Sequence, residues 1–138
     1  MPPDSAPPVL ELENARISYF TRAGEMNVVP GVSFKLQQGE ALGLVGESGC
    51  GKSTVAFAIM AYLSGVGRLT GGRILFEGRD MSRMTPDELR QLRGGRMAMV
   101  YQDPMSSLNP VMPVGRQLME VPIIHQKVRM PTMKPKSA

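Results

Sequence analysis

The most constraining feature of this 138-residue chain is one glycine-rich octapeptide. Residues 46–53 read Gly-Glu-Ser-Gly-Cys-Gly-Lys-Ser and fit the pattern G-x-x-x-x-G-K-[ST] at every fixed position. Glycines let the backbone curl until several N–H groups point at one anion, and a following helix adds its own free N–H groups and its dipole. The pattern therefore predicts a phosphate-binding loop that leads from a strand into a helix.

The residues of this loop have separate expected roles. Lys52 would place a point charge on the β- and γ-phosphates of a nucleoside triphosphate, and the Ser53 hydroxyl would be an oxygen ligand of Mg²⁺. Thr54 is placed to reach the α-phosphate. The rest of the predicted nucleotide site consists of Gly46, Glu47, Ser48, Gly49, Cys50 and Gly51. Two alternatives are a glycine-rich turn without a ligand and a reactive thiol at Cys50, since a helix N-terminus lowers a thiol pKa.

Hydrophobic patterning around the loop predicts an α/β fold. Residues 41–45 are apolar throughout, as in a strand that is buried on both faces, and apolar residues recur at helical spacing over 52–63. Turns are expected at 21–27 and over the glycine-rich residues 64–72. The other predicted strands are residues 9–20, 32–36, 73–77 and 97–101.

Two further helices are predicted after the loop. Thr85 and Glu88 have the spacing of a capping box, with Pro86 at the first helical position, and Gly94-Gly95 should end that helix. A last helix over 114–126 would be interrupted by Pro122.

Charge and composition exclude several classes of protein. The net charge is +4, but residues 127–138 hold four basic residues and no acidic one, whereas residues 1–126 carry 12 of each sign. A basic surface for nucleic acid is therefore not predicted. No apolar run is long enough for a transmembrane helix, and the lone Cys50 leaves no internal disulfide. Residues 1–8 hold four prolines and are expected to be a disordered lead-in.

Residues on both sides of the loop narrow the class of nucleotide-binding protein. Residues 31–34 and 39–46 resemble the start of an ABC transporter ATPase domain. Residues 100–110, Val-Tyr-Gln-Asp-Pro-Met-Ser-Ser-Leu-Asn-Pro, resemble the Q-loop of the subgroup that energises uptake of oligopeptides, dipeptides or nickel. The resemblance covers residues 9–125, and it implies a P-loop NTPase fold of the ABC ATPase type.

The resemblance also implies roles, cofactors and partners. Gln102 matches the Q-loop glutamine, which contacts Mg²⁺ and the attacking water, and Tyr19 aligns with the aromatic residue that stacks on adenine. Residues 106–113 would lie in the region that couples to the permease. The implied cofactors are ATP and Mg²⁺. The implied partners are transmembrane permease subunits and a second ABC ATPase subunit, with the protein peripheral on the cytoplasmic face of the cell membrane.

Other motifs of the resembled family do not occur in the sequence. It has no Leu-Ser-Gly-Gly-Gln signature and no second apolar strand that ends in Asp-Glu, and residues 63–66, Leu-Ser-Gly-Val, only imitate the signature. His125 is expected to be a surface residue rather than the switch histidine.

We therefore expect the N-terminal part of an ATPase domain over 9–126, truncated after the Q-loop region, with a basic tail of no family resemblance over 127–138. A change of reading frame near residue 128 is one hypothesis for that tail. Such a chain would bind Mg·ATP weakly and would not hydrolyse ATP at a transporter's rate. The alternative is a non-catalytic remnant or a fragment that only contacts the permease. A P-loop kinase or GTPase fits the Q-loop region less well.

Overall fold

The structure, a computed structural model, describes residues 7–101 and 108–126. Its elements in chain order are β1 (Leu10–Thr21), β2 (Gly24–Leu36), α1 (Lys52–Ile59), β3 (Gly67–Phe76), β4 (Arg79–Asp80), α2 (Pro86–Gly95) and α3 (Val114–Gln126), with one turn of 3₁₀ helix at Met81–Arg83. Two compact units divide the chain between Leu89 and Arg90, inside α2. Within the described ranges no helix has the length and apolar character needed to cross a bilayer.

The first unit is built on one antiparallel sheet of four strands in the order β2-β1-β3-β4. Strand β1 lies in the middle of the three long strands, so its inward side chains form much of the core. The fully or nearly buried apolar residues of the described chain are Leu10, Leu12, Ala15, Ile17, Val29, Val55, Ala58, Ile74, Phe76 and Met81. Because Val55 and Ala58 belong to α1, the same core that holds the sheet together also anchors the helix of the predicted phosphate loop.

A bulge in β1 explains its irregular alternation. Leu10 and Leu12 are buried at even positions, whereas Ala15 and Ile17 are buried at odd ones. The pairing register shifts in between, where Asn14 has a left-handed φ of 46°. One extra residue moves all later side chains to the opposite face of a strand. The bulge therefore keeps both apolar halves of β1 on the core side.

Two predicted strands are wrong. Residues 41–45 form no strand, and their side chains are exposed, with Val45 at 99% and Leu42 at 47%. Residues 97–101 form only an isolated bridge between Met97 and Arg93, and Val100 is 96% exposed. Both segments are apolar enough for a buried parallel strand, but such a strand also needs neighbours on both sides. The described residues supply neither segment with a neighbouring strand.

Several predicted boundaries also move. Strand β3 begins at Gly67, inside the predicted glycine-rich turn, because pairing with β1 holds those residues extended. Strand β2 begins at Gly24, so the turn after β1 is shorter than expected. Helix α1 ends at Ile59, just before Ala61 adopts a left-handed φ of 49°. Helix α3 continues through Pro122 instead of being interrupted there.

The predicted capping box of α2 is confirmed. The Thr85 N–H donates to Glu88 Oε2 at 2.8 Å, and the Glu88 N–H donates to Thr85 Oγ1 at 3.3 Å. Arg79 forms an ion pair with the same carboxylate. The helical conformation stops at Arg93 and Gly94, where Gly94 has a φ of 80°, as the glycine pair predicts.

These contacts make the start of α2 sensitive to pH. The Thr85 backbone N–H, followed by the Arg79 guanidinium, holds the pKa of Glu88 below its ordinary value of 4.5. A pKa that folding lowers gives stability above the unfolded value, and that stability is lost as the pH falls through the folded value. We expect Glu88→Gln to lower the melting temperature between pH 5 and 8, and the difference from the unsubstituted chain to shrink below about pH 4.5. A constant difference from pH 7 to pH 3 would contradict this.

Candidate functional site: the loop before helix α1

The loop at residues 46–50 is exposed and leads directly into α1. Gly49 and Gly51 have left-handed φ angles of 84° and 92°, which side chains other than glycine rarely adopt. A single turn bond, from the Cys50 N–H to the Glu47 carbonyl at 3.3 Å, closes the curve. The fixed glycines at 46 and 51 thus stand at the ends of a tightly curled segment.

The Lys52 ammonium lies across this curl. Its Nζ donates to the carbonyl oxygens of Gly46 and Glu47, both at 2.6 Å, and approaches Cys50 Sγ at 3.5 Å. An ammonium has three protons, and a thiol is a weak acceptor. The two carbonyl bonds hold the charge in place, and the contact with Cys50 Sγ is the one that a stronger acceptor can replace most easily. A phosphate oxygen is such an acceptor.

The first turn of α1 supplies further donors. The first N–H of the helix to donate four residues back is that of Val55, which donates to the carbonyl of Gly51, the residue just before the helix, at 2.9 Å. The N–H groups of Lys52, Ser53 and Thr54 precede it and have no partner inside the helix. Three free donors at the positive end of the helix dipole favour an anion next to the Lys52 ammonium.

Strand β2 forms the floor beneath the end of the loop. A Cβ atom at Gly51 would lie 3.0 Å from Val29 Cγ2 and 3.2 Å from the Val28 carbonyl oxygen. Val29 is 5% exposed and belongs to the core of the sheet. Glycine is therefore required at position 51 both for its left-handed φ and for this close approach, and the approach fixes the helix N-terminus on the sheet.

The other loop residues have simpler surroundings. Ser53 is exposed and Thr54 is half-buried, and both lie in the first turn of α1. The hydroxyl of Ser53 is therefore open to a hard cation next to the phosphate position, which fits the chemistry of Mg²⁺. Glu47 and Ser48 are exposed. Cys50 is also exposed and is a free thiol.

Tyr19 lies on the strand that borders this floor. It is half-buried in β1, paired with Met26 of β2 and Gly67 of β3, and its ring carbon Cε1 would be 3.1 Å from a Cβ at Gly67. Ile17, two residues earlier, pairs with Val29 under the loop, so Tyr19 is about 7 Å further along the strand.

Part of the predicted site lies outside the described residues. Gln102, predicted to contact Mg²⁺ and water, belongs to the gap at 102–107, as does the first part of the predicted coupling region. Residues 108–113 of that region are described and lead into α3. His125 lies in α3, but its side chain is outside the described part. The predicted tail at 127–138 is outside it as well.

Sequence reasoning missed the β2 floor. Val28 and Val29 follow the predicted turn at 21–27 and precede the predicted strand at 32–36, so no element was expected there. A signal was present, because two valines before Pro30 have high β propensity and a proline is tolerated on an edge strand.

Comparison with known proteins gives a consistent result. The family described as ABC transporter matches residues 29–136. This match extends past residue 126, where the end of the domain was predicted. The boundary at residue 126 stays a prediction. The chain is 45% identical over 124 residues to the oligopeptide transport ATP-binding protein OppD of Salmonella typhimurium. The aligned residues cover 90% of this chain and 37% of that protein. It is 44% identical over 121 residues to the dipeptide transport ATP-binding protein DppD of Bacillus subtilis, covering 87% and 36%. The chain thus spans little more than a third of the length of these relatives.

A solved structure agrees in fold. A bacterial Atm1-family ABC exporter with ATP bound superposes with a TM-score of 0.51 at 29% sequence identity. The match covers 65% of this chain and 16% of that one. The antiparallel sheet and the loop before α1 therefore belong to an α/β P-loop fold of the ABC ATPase type.

Proposed function

The chain belongs to the ABC transporter family, and on that premise we propose that it is the nucleotide-binding part of an importer for peptides, or for nickel. The names of two relatives support the peptide class, since both are ATP-binding proteins of oligopeptide or dipeptide transport at 44–45% identity. ATP is the proposed ligand and Mg²⁺ its proposed counter-ion.

The observation that carries the proposal is the placement of the Lys52 ammonium. The ammonium donates to the carbonyl oxygens of Gly46 and Glu47, each at 2.6 Å. It lies at the N-terminus of α1, where the first backbone N–H groups have no partner inside the helix. This arrangement is a ready anion site. Lys52 and the first-turn amides would hold the β- and γ-phosphates, Ser53 would hold Mg²⁺, and Tyr19 would stack on adenine. Gln102 would orient water and Mg²⁺.

The proposed partners are transmembrane permease subunits and a second ABC ATPase subunit, with the protein at the cytoplasmic face of the cell membrane. The exposed loop and the turn before α3 are the described parts that would meet them. No role in nucleic-acid binding is proposed.

The competing reading is a remnant that contacts a permease but binds no nucleotide. The two readings differ in melting behaviour. A folded binder should melt cooperatively, and ATP with Mg²⁺ at one hundred times its dissociation constant should add about 2.7 kcal/mol, which raises the melting temperature by roughly 8 °C. A melting temperature that ATP leaves unchanged, at concentrations up to several millimolar, would favour the remnant.

We also propose that this 138-residue chain binds ATP without rapid turnover. The family places the water-activating glutamate at the end of an Asp-Glu strand, and the sequence contains no Asp-Glu strand of this kind. Phosphate release by the purified chain should stay below the rate of roughly 1 per second that is common for phosphoryl-transfer enzymes. Turnover at or above that rate, abolished by Lys52→Ala, would overturn this part of the proposal.

A further inference from the structure

The side chain of Gln117 makes three hydrogen bonds to the turn that precedes α3. Its Oε1 accepts from the Asn109 N–H at 2.8 Å, and its Nε2 donates to the carbonyl oxygens of Asn109 at 2.9 Å and Met112 at 2.8 Å. Both N–H protons of the side-chain amide are used in bonds to backbone carbonyl oxygens, and its oxygen accepts from a backbone N–H. Three bonds from one half-buried side chain thus join the helix to residues five and eight positions earlier.

The turn itself has a sequence that favours the observed shape. The Met112 N–H donates to the Asn109 carbonyl at 3.1 Å, and the Val111 N–H donates to Asn109 Oδ1 at 3.1 Å. Asparagine at the first position and proline at the second are typical of a tight turn. An isolated turn of this kind is only marginally stable in water, since each hydrogen bond contributes about 1 kcal/mol net. The bonds from Gln117 are what tie it to a helix.

The turn presents an apolar tip. Val111 is 88% exposed, and Val114 and Leu118, four residues apart on α3, are 53% and 67% exposed. Residues at this spacing lie on the same side of a helix. A conformational change of the turn would therefore move Val111 relative to the other two side chains.

We infer that Gln117 is a positioning residue that fixes the Asn109–Met112 turn, and with it the place of Val111, on helix α3. That the tip then meets a permease rests on the proposed function, because residues 106–113 fall in the predicted coupling region. The positioning of the turn does not depend on that function, and the two can be tested separately.

The test uses ¹⁵N relaxation of the whole chain. In Gln117→Met, a side chain of similar length without hydrogen bonds, the backbone order parameters of Asn109, Val111 and Met112 should fall from about 0.85 to below about 0.6. Those of Leu118 and Met119 should stay near 0.85. The matched control is Glu120→Gln, an exposed position on the same helix, which should leave all five unchanged.

A second variant distinguishes hydrogen bonding from packing. In Gln117→Glu the ionised carboxylate would face two carbonyl oxygens, so the turn should be as mobile as in Gln117→Met at pH 7. Below the ordinary glutamate pKa of 4.5 the protonated carboxyl can accept from Asn109 and donate to one carbonyl, and order should return in part. Arg116 and Glu120 are the charged side chains of α3 nearest in sequence, and both are exposed. Gln117→Met at the same low pH is the reference for any general effect of acid.

Two results would overturn the inference. One is a turn that keeps its wild-type order parameters in Gln117→Met. The other is a loss of order throughout α3 in both variants at every pH, since Gln117 would then support the helix rather than the turn. ATP affinity, measured on the same samples, should be unchanged in Gln117→Met. If the unsubstituted chain does not bind ATP, that result would contradict the proposed function and leave the role of Gln117 intact.

Discussion

Replacing Lys52 by alanine is expected to weaken the binding of Mg·ATP roughly tenfold to hundredfold, because a hydrogen bond to a charged group contributes about 1.5–3 kcal/mol. The ammonium is fixed by the Gly46 and Glu47 carbonyls before any ligand arrives, so its charge needs little rearrangement to meet a phosphate. Isothermal titration of the purified chain with Mg·ATP measures the change directly.

Two further variants serve as controls for this prediction. Lys35→Ala removes another lysine, one that pairs with Glu11 on the sheet surface, and should leave ATP affinity unchanged. Cys50→Ala removes the weakest of the three Lys52 contacts and should change the affinity less than about threefold, since a thiol is a weak acceptor. Equal affinities of Lys52→Ala and the unsubstituted chain would show that the loop is a turn without a ligand.

Replacing Gly72 by alanine is expected to lower the free energy of unfolding by at least about 3 kcal/mol, which combines backbone strain with overpacking. Gly72 has a left-handed φ of 72°, and a Cβ there would overlap the carbonyl oxygens of Glu13 and Asn14. Neither oxygen can move away without breaking the bulge that keeps both halves of β1 facing the core. Urea denaturation measures the loss.

Gly78 is a matched control for this substitution. It has a similar φ of 76°, but no atom lies within 4 Å of the position that its Cβ would take. Gly78→Ala should therefore cost only the conformational term, about 1 kcal/mol. Equal losses for the two variants would mean that the bulge tolerates a side chain, contrary to the close approach seen at Gly72.

The loop and its helix could be predicted from the sequence because their determinants are local. The spacing of the two fixed glycines and Lys52 specifies a curl that leads into a helix, and α1 begins at Lys52. The capping box of Thr85 and Glu88 is equally local, and its reciprocal bonds are present. In both cases the residues that form the contacts lie within eight positions of each other.

Contacts between distant segments could not be predicted in this way. The apolar residues 41–45 indicate a need for burial, but pattern alone does not say whether neighbouring strands exist, and Val45 is 99% exposed. The support of Gly51 by Val28 and Val29 depends on a register between strands that no local pattern encodes.

Nucleotide binding at this loop is tested most directly by a map of the amide shifts that Mg·ATP causes in the ¹H–¹⁵N spectrum of the chain. The largest changes are expected at residues 46–54, with the Lys52, Ser53 and Thr54 amides shifted most, and these changes should be lost in Lys52→Ala. A spectrum unchanged by millimolar Mg·ATP, or shifts that avoid residues 46–54, would contradict the claim that this loop holds the nucleotide.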